Sequence, residues 1–334
     1  MNSNIASIIK SAKFTKEGVE ITIEEGTTGI PYCYVMNYKY LIKVTLPDGL
    51  KTIGNYAFTG CSNLTTVELP EGLETIGNYA FQNCSNLRTV KLPEGLETIG
   101  ENVFYGCSNL RTVKLPRGLK YIGCCAFQKC SNLRTITFSD GLETVDGCAF
   151  AECSNLRTIT FSNGLKIINE CAFFKCPNLR TVKLPSGVKT IGDYAFSDCT
   201  LLKKINWPCS LTTIGDGAFK NCTSLSIPRM LPTGITLGTD AFKGCLPPTI
   251  KIQDPEDDCA ICREILNTNL VQLGCSHVYH KNCIMRWKNA KNTCPQCVNP
   301  IESMTPAVID KKRRKNESAS GSSSKRARND TQDV

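Results

Sequence analysis

A chain of 334 residues, 41% hydrophobic and 21% charged, has room for two or more domains and the balance of an ordinary soluble protein. No apolar run approaches the ~18 residues of a membrane span. The opening MNSNIASIIKSAKFTKEG lacks the apolar stretch and small-residue cleavage site of a secretory signal. A membrane partner is therefore not expected, and the 21 cysteines read as thiols or metal ligands in the reducing cytosol or nucleus, not as a disulfide scaffold. A formal charge of +9 points toward acidic partners.

In chain order, residues 1–20 read as an N-terminal arm, and a repeat then fills 21–245. Phe58, Phe81, Phe104, Phe127, Phe150, Phe173, Phe196, Phe219 and Phe242 recur every 23 residues, and nine cysteines from Cys61 to Cys245 recur in step with them. The unit reads approximately V-x-L-P-x-G-L-x-T-I-G-x-x-A-F-x-x-C-S-N-L-R-T. Residues 21–43 are a degenerate capping turn, in which Val35 and Tyr38 stand where the later turns have Phe and Cys. Nine repeats follow over 44–245. The L-x-x-V-x-L spacing, as in Leu110, Val113 and Leu115, predicts a short strand, and Pro116 with Gly118 predicts the turn after it. One unit has too little apolar surface to offset its own ordering, so turns must stack and share their faces. The cysteine column reads as buried small hydrophobes, and the second column, Cys125, Cys148 and Cys171, interchanges with tyrosine and reads as packing too. The asparagines from Asn63 to Asn178 are expected to bond the backbone of neighbouring turns.

The repeat resembles the leucine-rich repeats of the bacterial surface-antigen type over residues 21–245. That resemblance implies a right-handed solenoid with a parallel sheet lining one face, and a surface for recognition.

One outward column is not dictated by packing. The residue after the strand's first leucine is Arg88, Arg111, Arg134, Arg157 and Arg180, then Lys203, with Lys91, Lys114 and Lys183 three residues on. Two readings stand: a solvated face neutralised by Glu74, Glu97 and Glu143, or a stripe that binds an acidic protein substrate. Nucleic acid is not the expected ligand.

Residues 246–258 leave the repeat phase and read as a linker. Over 259–301 the chain then places Cys259, Cys262, Cys275, His277, His280, Cys283, Cys294 and Cys297 at C-x2-C, C-x-H-x2-H-x2-C and C-x2-C spacing. Eight N and S donors suit two closed, tetrahedral, structural Zn(II) sites. The segment resembles the RING finger in its two-histidine variant, a small α+β fold. The resemblance implies alternating ligation, with Cys259, Cys262, His280 and Cys283 on one zinc and Cys275, His277, Cys294 and Cys297 on the other. It also implies a groove for a ubiquitin-conjugating enzyme at Ile261, Trp287 and Pro295, and hence a RING-type ubiquitin-protein ligase with no catalytic residue of its own. An exposed Ile and Trp are in keeping with a docking patch. Val298 stands where many active RING fingers carry Arg or Lys to restrain ubiquitin, which implies activity that is weak, pairing-dependent or supported by another residue. The competing reading is a non-enzymatic scaffold whose zinc finger mediates assembly.

Residues 302–334 are Ser-rich, charged and poor in large apolar side chains, so a disordered tail is expected. Its clusters Lys311, Lys312, Arg313, Arg314, Lys315 and Lys325, Arg326, Arg328 read as nuclear import signals.

Overall fold

The computed structural model describes residues 8–228, 231, 234–246, 270–274, 277–295 and 300–307. The chain divides into two units, Met1–Lys251 and Ile252–Val334.

The first unit is a solenoid whose turns repeat the 23-residue period in hydrogen bonds. One ten-stranded sheet starts with Ile9–Phe14 and Val19–Ile23, takes in Leu41–Thr45, and then gains one short strand per turn, from Thr66–Glu68 to Lys204–Ile205. Its first pair is antiparallel and the others are parallel, with Thr112 opposite Thr89 and Thr135 opposite Thr158. The parallel sheet expected from the sequence is therefore present. A second sheet, also of ten strands, adds a two-residue strand per turn from Gly29–Ile30 to Thr236–Leu237. The expected arm over 1–20 is corrected for its described part. Ile9–Phe14 pairs back onto Val19–Ile23 and forms the sheet's first edge, giving the exposed end of the stack the backbone partners that an open first turn would lack.

Each strand is short because the chain must turn within each repeat. The Pro-x-Gly corner closes on itself, with the Leu96 N–H donating to the Pro93 carbonyl at 3.1 Å. A sharper constraint falls on the column of Tyr56, Tyr79, Asn102, Cys125, Cys148, Cys171, Tyr194, Gly217 and Asp240, which all take φ between 53° and 61°. This left-handed conformation favours Gly, Asn and Asp and costs other residues about 1 kcal/mol or more. Stacking offsets some of this at Tyr56 and Tyr79, whose rings lie 4.6 Å apart and 2° from parallel.

The core is a set of continuous columns. Successive rings from Phe58 to Phe242 stack with centroids 5.2–5.7 Å apart. Cys61 to Cys222 are fully buried beside them, and each thiol donates to a backbone carbonyl of an adjacent turn, as from Cys130 Sγ to the Phe104 oxygen at 3.2 Å. The cysteines are thus hydrogen-bond donors as well as small hydrophobes. The asparagine reading is corrected. Asn86, Asn109, Asn132 and Asn155 donate to the side-chain oxygen of the preceding asparagine at 3.1–3.4 Å, and only Asn178 of this column donates to a backbone, the Ser154 carbonyl at 2.8 Å. In-register amides one strand apart satisfy one another, as in other asparagine ladders.

In the second unit, Leu270–Leu273 lies between Val278–His280 and Met304–Ala307 in an antiparallel sheet, and the helix Lys281–Ala290 follows directly from the middle strand of the sequence. Val271, Leu273, Tyr279, Ile284, Cys294 and Ile301 are buried, which makes this an α+β module with a core of a few side chains. Among the described residues, no helix is long and apolar enough to cross a membrane.

Candidate functional site

A module with so small a core needs another source of folding free energy. Four of its eight expected metal donors are described, namely His277, His280, Cys283 and Cys294; Cys259, Cys262, Cys275 and Cys297 lie outside the described residues. The strand Val278–His280 fixes His280 and is preceded by His277, the helix carries Cys283 in its first turn, and Cys294 follows the helix after a short connection. Cys294 Sγ lies 3.4 Å from His277 Nδ1 although 17 residues separate them. Two donors on one tetrahedral zinc, with Zn–S near 2.3 Å and Zn–N near 2.05 Å, stand about 3.6 Å apart. This pair therefore fits two positions on one zinc, and it is a pair that the expected alternating ligation assigns to the same ion; among the described residues no third donor joins it.

Tyr279 was missed by the sequence reading. Its side chain is fully buried, and its hydroxyl lies 3.2 Å from Cys294 Sγ. A hydroxyl donor beside a metal thiolate orients the ligand and spreads its charge. The signal in the sequence was only a tyrosine between two histidine ligands, where a phenyl ring would serve packing equally well.

Of the expected groove residues, Ile261 lies outside the described residues, as does Val298. Trp287 is half-buried, which corrects the expectation of an exposed indole. Its Nε1–H donates to the Thr293 carbonyl at 2.8 Å, and Lys291 Nζ lies 5.7 Å from its ring centroid. The bond pins the helix to the segment that carries Cys294 and the half-buried Pro295, so an expected groove residue and an expected metal ligand are held by one contact. Lys311 to Lys315 and Lys325 to Arg328 lie outside the described residues.

On the solenoid, Arg88, Arg111, Arg134, Arg157 and Arg180 are exposed. The expected neutralisation by Glu74, Glu97 and Glu143 is not what the structure shows. Those carboxylates pair with Lys51, Lys120 and Lys166 at 2.7–2.9 Å, because the three lysines lie in the same column one turn away. Glu71 and Glu94 hold Lys91 and Lys114 at 2.7 and 3.2 Å. The lysine partner is also the main cause that holds the exposed Glu71 carboxyl below the usual range. Among the described residues, no salt bridge engages the five arginines.

A family model described as BspA type Leucine rich repeat region matches residues 28–156 and 120–249 in six copies, about two thirds of the chain. The chain belongs to the BspA-type leucine-rich repeat family. A solved leucine-rich repeat protein from Bacteroides ovatus, 28% identical, aligns over 72% of this BspA-type chain and 70% of its own with a TM-score of 0.53. The second unit carries a Ring finger domain, matched over residues 257–298, which is a zinc-binding fold. There the chain is 36% identical over 62 residues to a probable E3 ubiquitin-protein ligase RHC2A of Arabidopsis thaliana. It is 34% identical over 59 residues to the E3 ubiquitin-protein ligase rnf8 of Danio rerio. The chain spans 16% and 12% of the length of these two relatives, so the similarity is to their finger domains.

Proposed function

We propose that this BspA-type repeat protein is a RING-type ubiquitin-protein ligase, whose finger recruits a ubiquitin-loaded conjugating enzyme and whose solenoid selects the protein substrate. The observation that carries the reading lies within the matched Ring finger region. Ile261, Trp287 and Pro295 accompany the eight donors there, and none of the three has a part in ligation. In this reading two zinc ions are bound in alternation, by Cys259, Cys262, His280 and Cys283 and by Cys275, His277, Cys294 and Cys297. The contact between His277 and Cys294 supports that assignment. Both ions are closed by four protein donors, so they supply folding free energy and leave no position for a reacting water. The finger contributes position: a conjugating enzyme docked on the groove holds its thioester where a substrate lysine attacks, and the gain comes from proximity and restraint.

The test is ubiquitin transfer by the purified chain with activating enzyme, a panel of conjugating enzymes and ubiquitin. Self-modification by the parent chain, abolished by Ile261→Ala and by Trp287→Ala in chains that retain zinc, is the expected result. No transfer with any member of the panel sinks the reading and leaves the scaffold, in which the finger only mediates assembly. Val298 is the observation on that side, since a valine cannot donate to ubiquitin. The basic clusters Lys311–Lys315 and Lys325–Arg328 belong to the proposal as import signals, and their deletion shifts a fluorescent fusion from nucleus to cytoplasm.

A further inference from the structure

The cations Arg88, Arg111, Arg134, Arg157, Arg180 and Lys203 occupy consecutive turns of the solenoid, all exposed. Their main chains are joined directly. The Arg111 N–H donates to the Arg88 carbonyl at 3.1 Å, Arg157 to Arg134 at 2.9 Å and Lys203 to Arg180 at 2.9 Å. Five steps at the ~4.8 Å strand spacing make a strip about 24 Å long. Packing does not demand it, since the same column holds Ile42 and Thr65 before the strip and Ser226 after it. Nor does it serve the fold through ion pairs, because the neighbouring carboxylates are held by lysines and no salt bridge among the described residues reaches these arginines. Between Thr66 and Lys204 the outward positions of this sheet's strands carry one carboxylate, Glu68, in register with Lys91.

The ground beside the strip narrows the ligand. An exposed column of threonines, from Thr66 to Thr181, runs next to it and offers hydroxyls. The exposed aromatic side chains Phe14, Tyr32, Tyr40, Tyr121 and Tyr194 all lie in other columns. A single-stranded nucleic acid would find charge here but none of the aromatic rings on which successive bases stack. Five arginines in a row present planar forks that take carboxylates two bonds at a time, which lysines do not.

We propose that the strip docks an extended, Asp/Glu-rich segment of a partner protein, lying along the solenoid axis across the strands. At ~3.3 Å per residue, 24 Å accommodates about seven residues of extended chain. That the segment belongs to a substrate rests on the ligase reading, whereas the binding itself does not.

The test uses the full chain and a fluorescein-labelled deca-glutamate peptide, read by anisotropy at 0.15 M salt. A deca-glutamine peptide and a ten-nucleotide thymidine strand serve as comparators. The combined variant Arg111→Gln, Arg134→Gln, Arg157→Gln is expected to weaken peptide binding at least tenfold. Neutralising Lys311 to Lys315 in the tail is expected to change it less than twofold. The proposal is overturned if the strip variant binds as the parent does, if the loss appears only in the tail variant, or if the oligonucleotide binds the strip more tightly than the peptide. Ubiquitin transfer is measured on the same preparations. A parent chain that binds the peptide and transfers no ubiquitin refutes the ligase reading alone.

Discussion

Burial of the cysteine column makes the solenoid sensitive to alkali, and the magnitude follows from its thiols. Burial pushes Cys61 and Cys199 up to about 12, and it likewise raises Cys84, Cys107, Cys130, Cys153 and Cys176, all fully buried. An unfolded thiol titrates near 8.5 to 9. Above that pH the unfolded chain releases protons that the folded chain keeps. Stability is therefore intact below about pH 8.5 and falls as the pH climbs toward 12. Between pH 8 and pH 10 each thiol contributes on the order of 1 kcal/mol to that loss, and the column together several kcal/mol, a large part of the stability of a typical domain. Urea unfolding followed by circular dichroism under reducing conditions at pH 8 and pH 10 measures the loss. Other groups also titrate there, so the decisive comparison is with the combined variant Cys107→Ser, Cys130→Ser, Cys153→Ser. Its hydroxyls do not ionise in this range, and they stand further from the carbonyls than the sulfurs did. The variant is expected to start less stable at pH 8 and to lose a few kcal/mol less than the parent on going to pH 10. Equal losses in the two chains refute the reasoning.

Tyr279→Phe removes one hydroxyl and keeps the buried ring. A hydrogen bond to a charged thiolate is worth about 1.5 to 3 kcal/mol, so zinc affinity, measured by competition with a colorimetric chelator, is expected to fall about tenfold or more; unchanged affinity shows the contact to be idle. Excess chelator is expected to unfold the finger, seen as a change in Trp287 emission, while the urea midpoint of the solenoid stays where it was; retained finger structure in the metal-free chain counts against metal-coupled folding. Val298→Arg is expected to raise ubiquitin discharge several-fold by supplying a missing donor to ubiquitin, and an unaltered rate shows that another residue restrains it.

Much of the fold was legible because a solenoid repeats its local rules. The phase of Phe and Cys gave the stacking, and Leu110, Val113 and Leu115 gave the inward face of a strand, since each turn sees nearly the same neighbours. Features that belong to the relation between turns were harder to see. The left-handed backbone at Tyr56 and Cys125 is poorly signalled by a tyrosine or a cysteine, though Asn102 and Gly217 in the same column carry the clue. The asparagine ladder and the thiol-to-carbonyl bonds need the stack to exist before their partners are adjacent. Residues 9–20 read as an arm because nothing in their own sequence announces the strand they join. In the finger, the spacing of cysteines and histidines is local and readable, whereas the contact from Tyr279 to Cys294 crosses 15 residues and is not.

The outward columns of the solenoid provide an internal comparison for the arginine strip. Where charge serves the fold, the signs mix: Lys51 with Glu74, Glu97 with Lys120, and Glu143 with Lys166 form salt bridges along one column, and Lys129, Glu152, Lys175 and Asp198 alternate along another. Such in-register pairs stabilise modestly, and like charges in register do the reverse. The strip runs the other way for six turns without an interruption. With the charged ends splayed to about 7 Å, each neighbouring pair costs about 0.3 kcal/mol at physiological salt, and the strip about 1 to 2 kcal/mol in all. Threonine at position 65 shows that the column accepts a neutral residue. Stability alone would place mixed or neutral residues there, so the repulsion is better explained by an acidic ligand, which would neutralise all six turns at once.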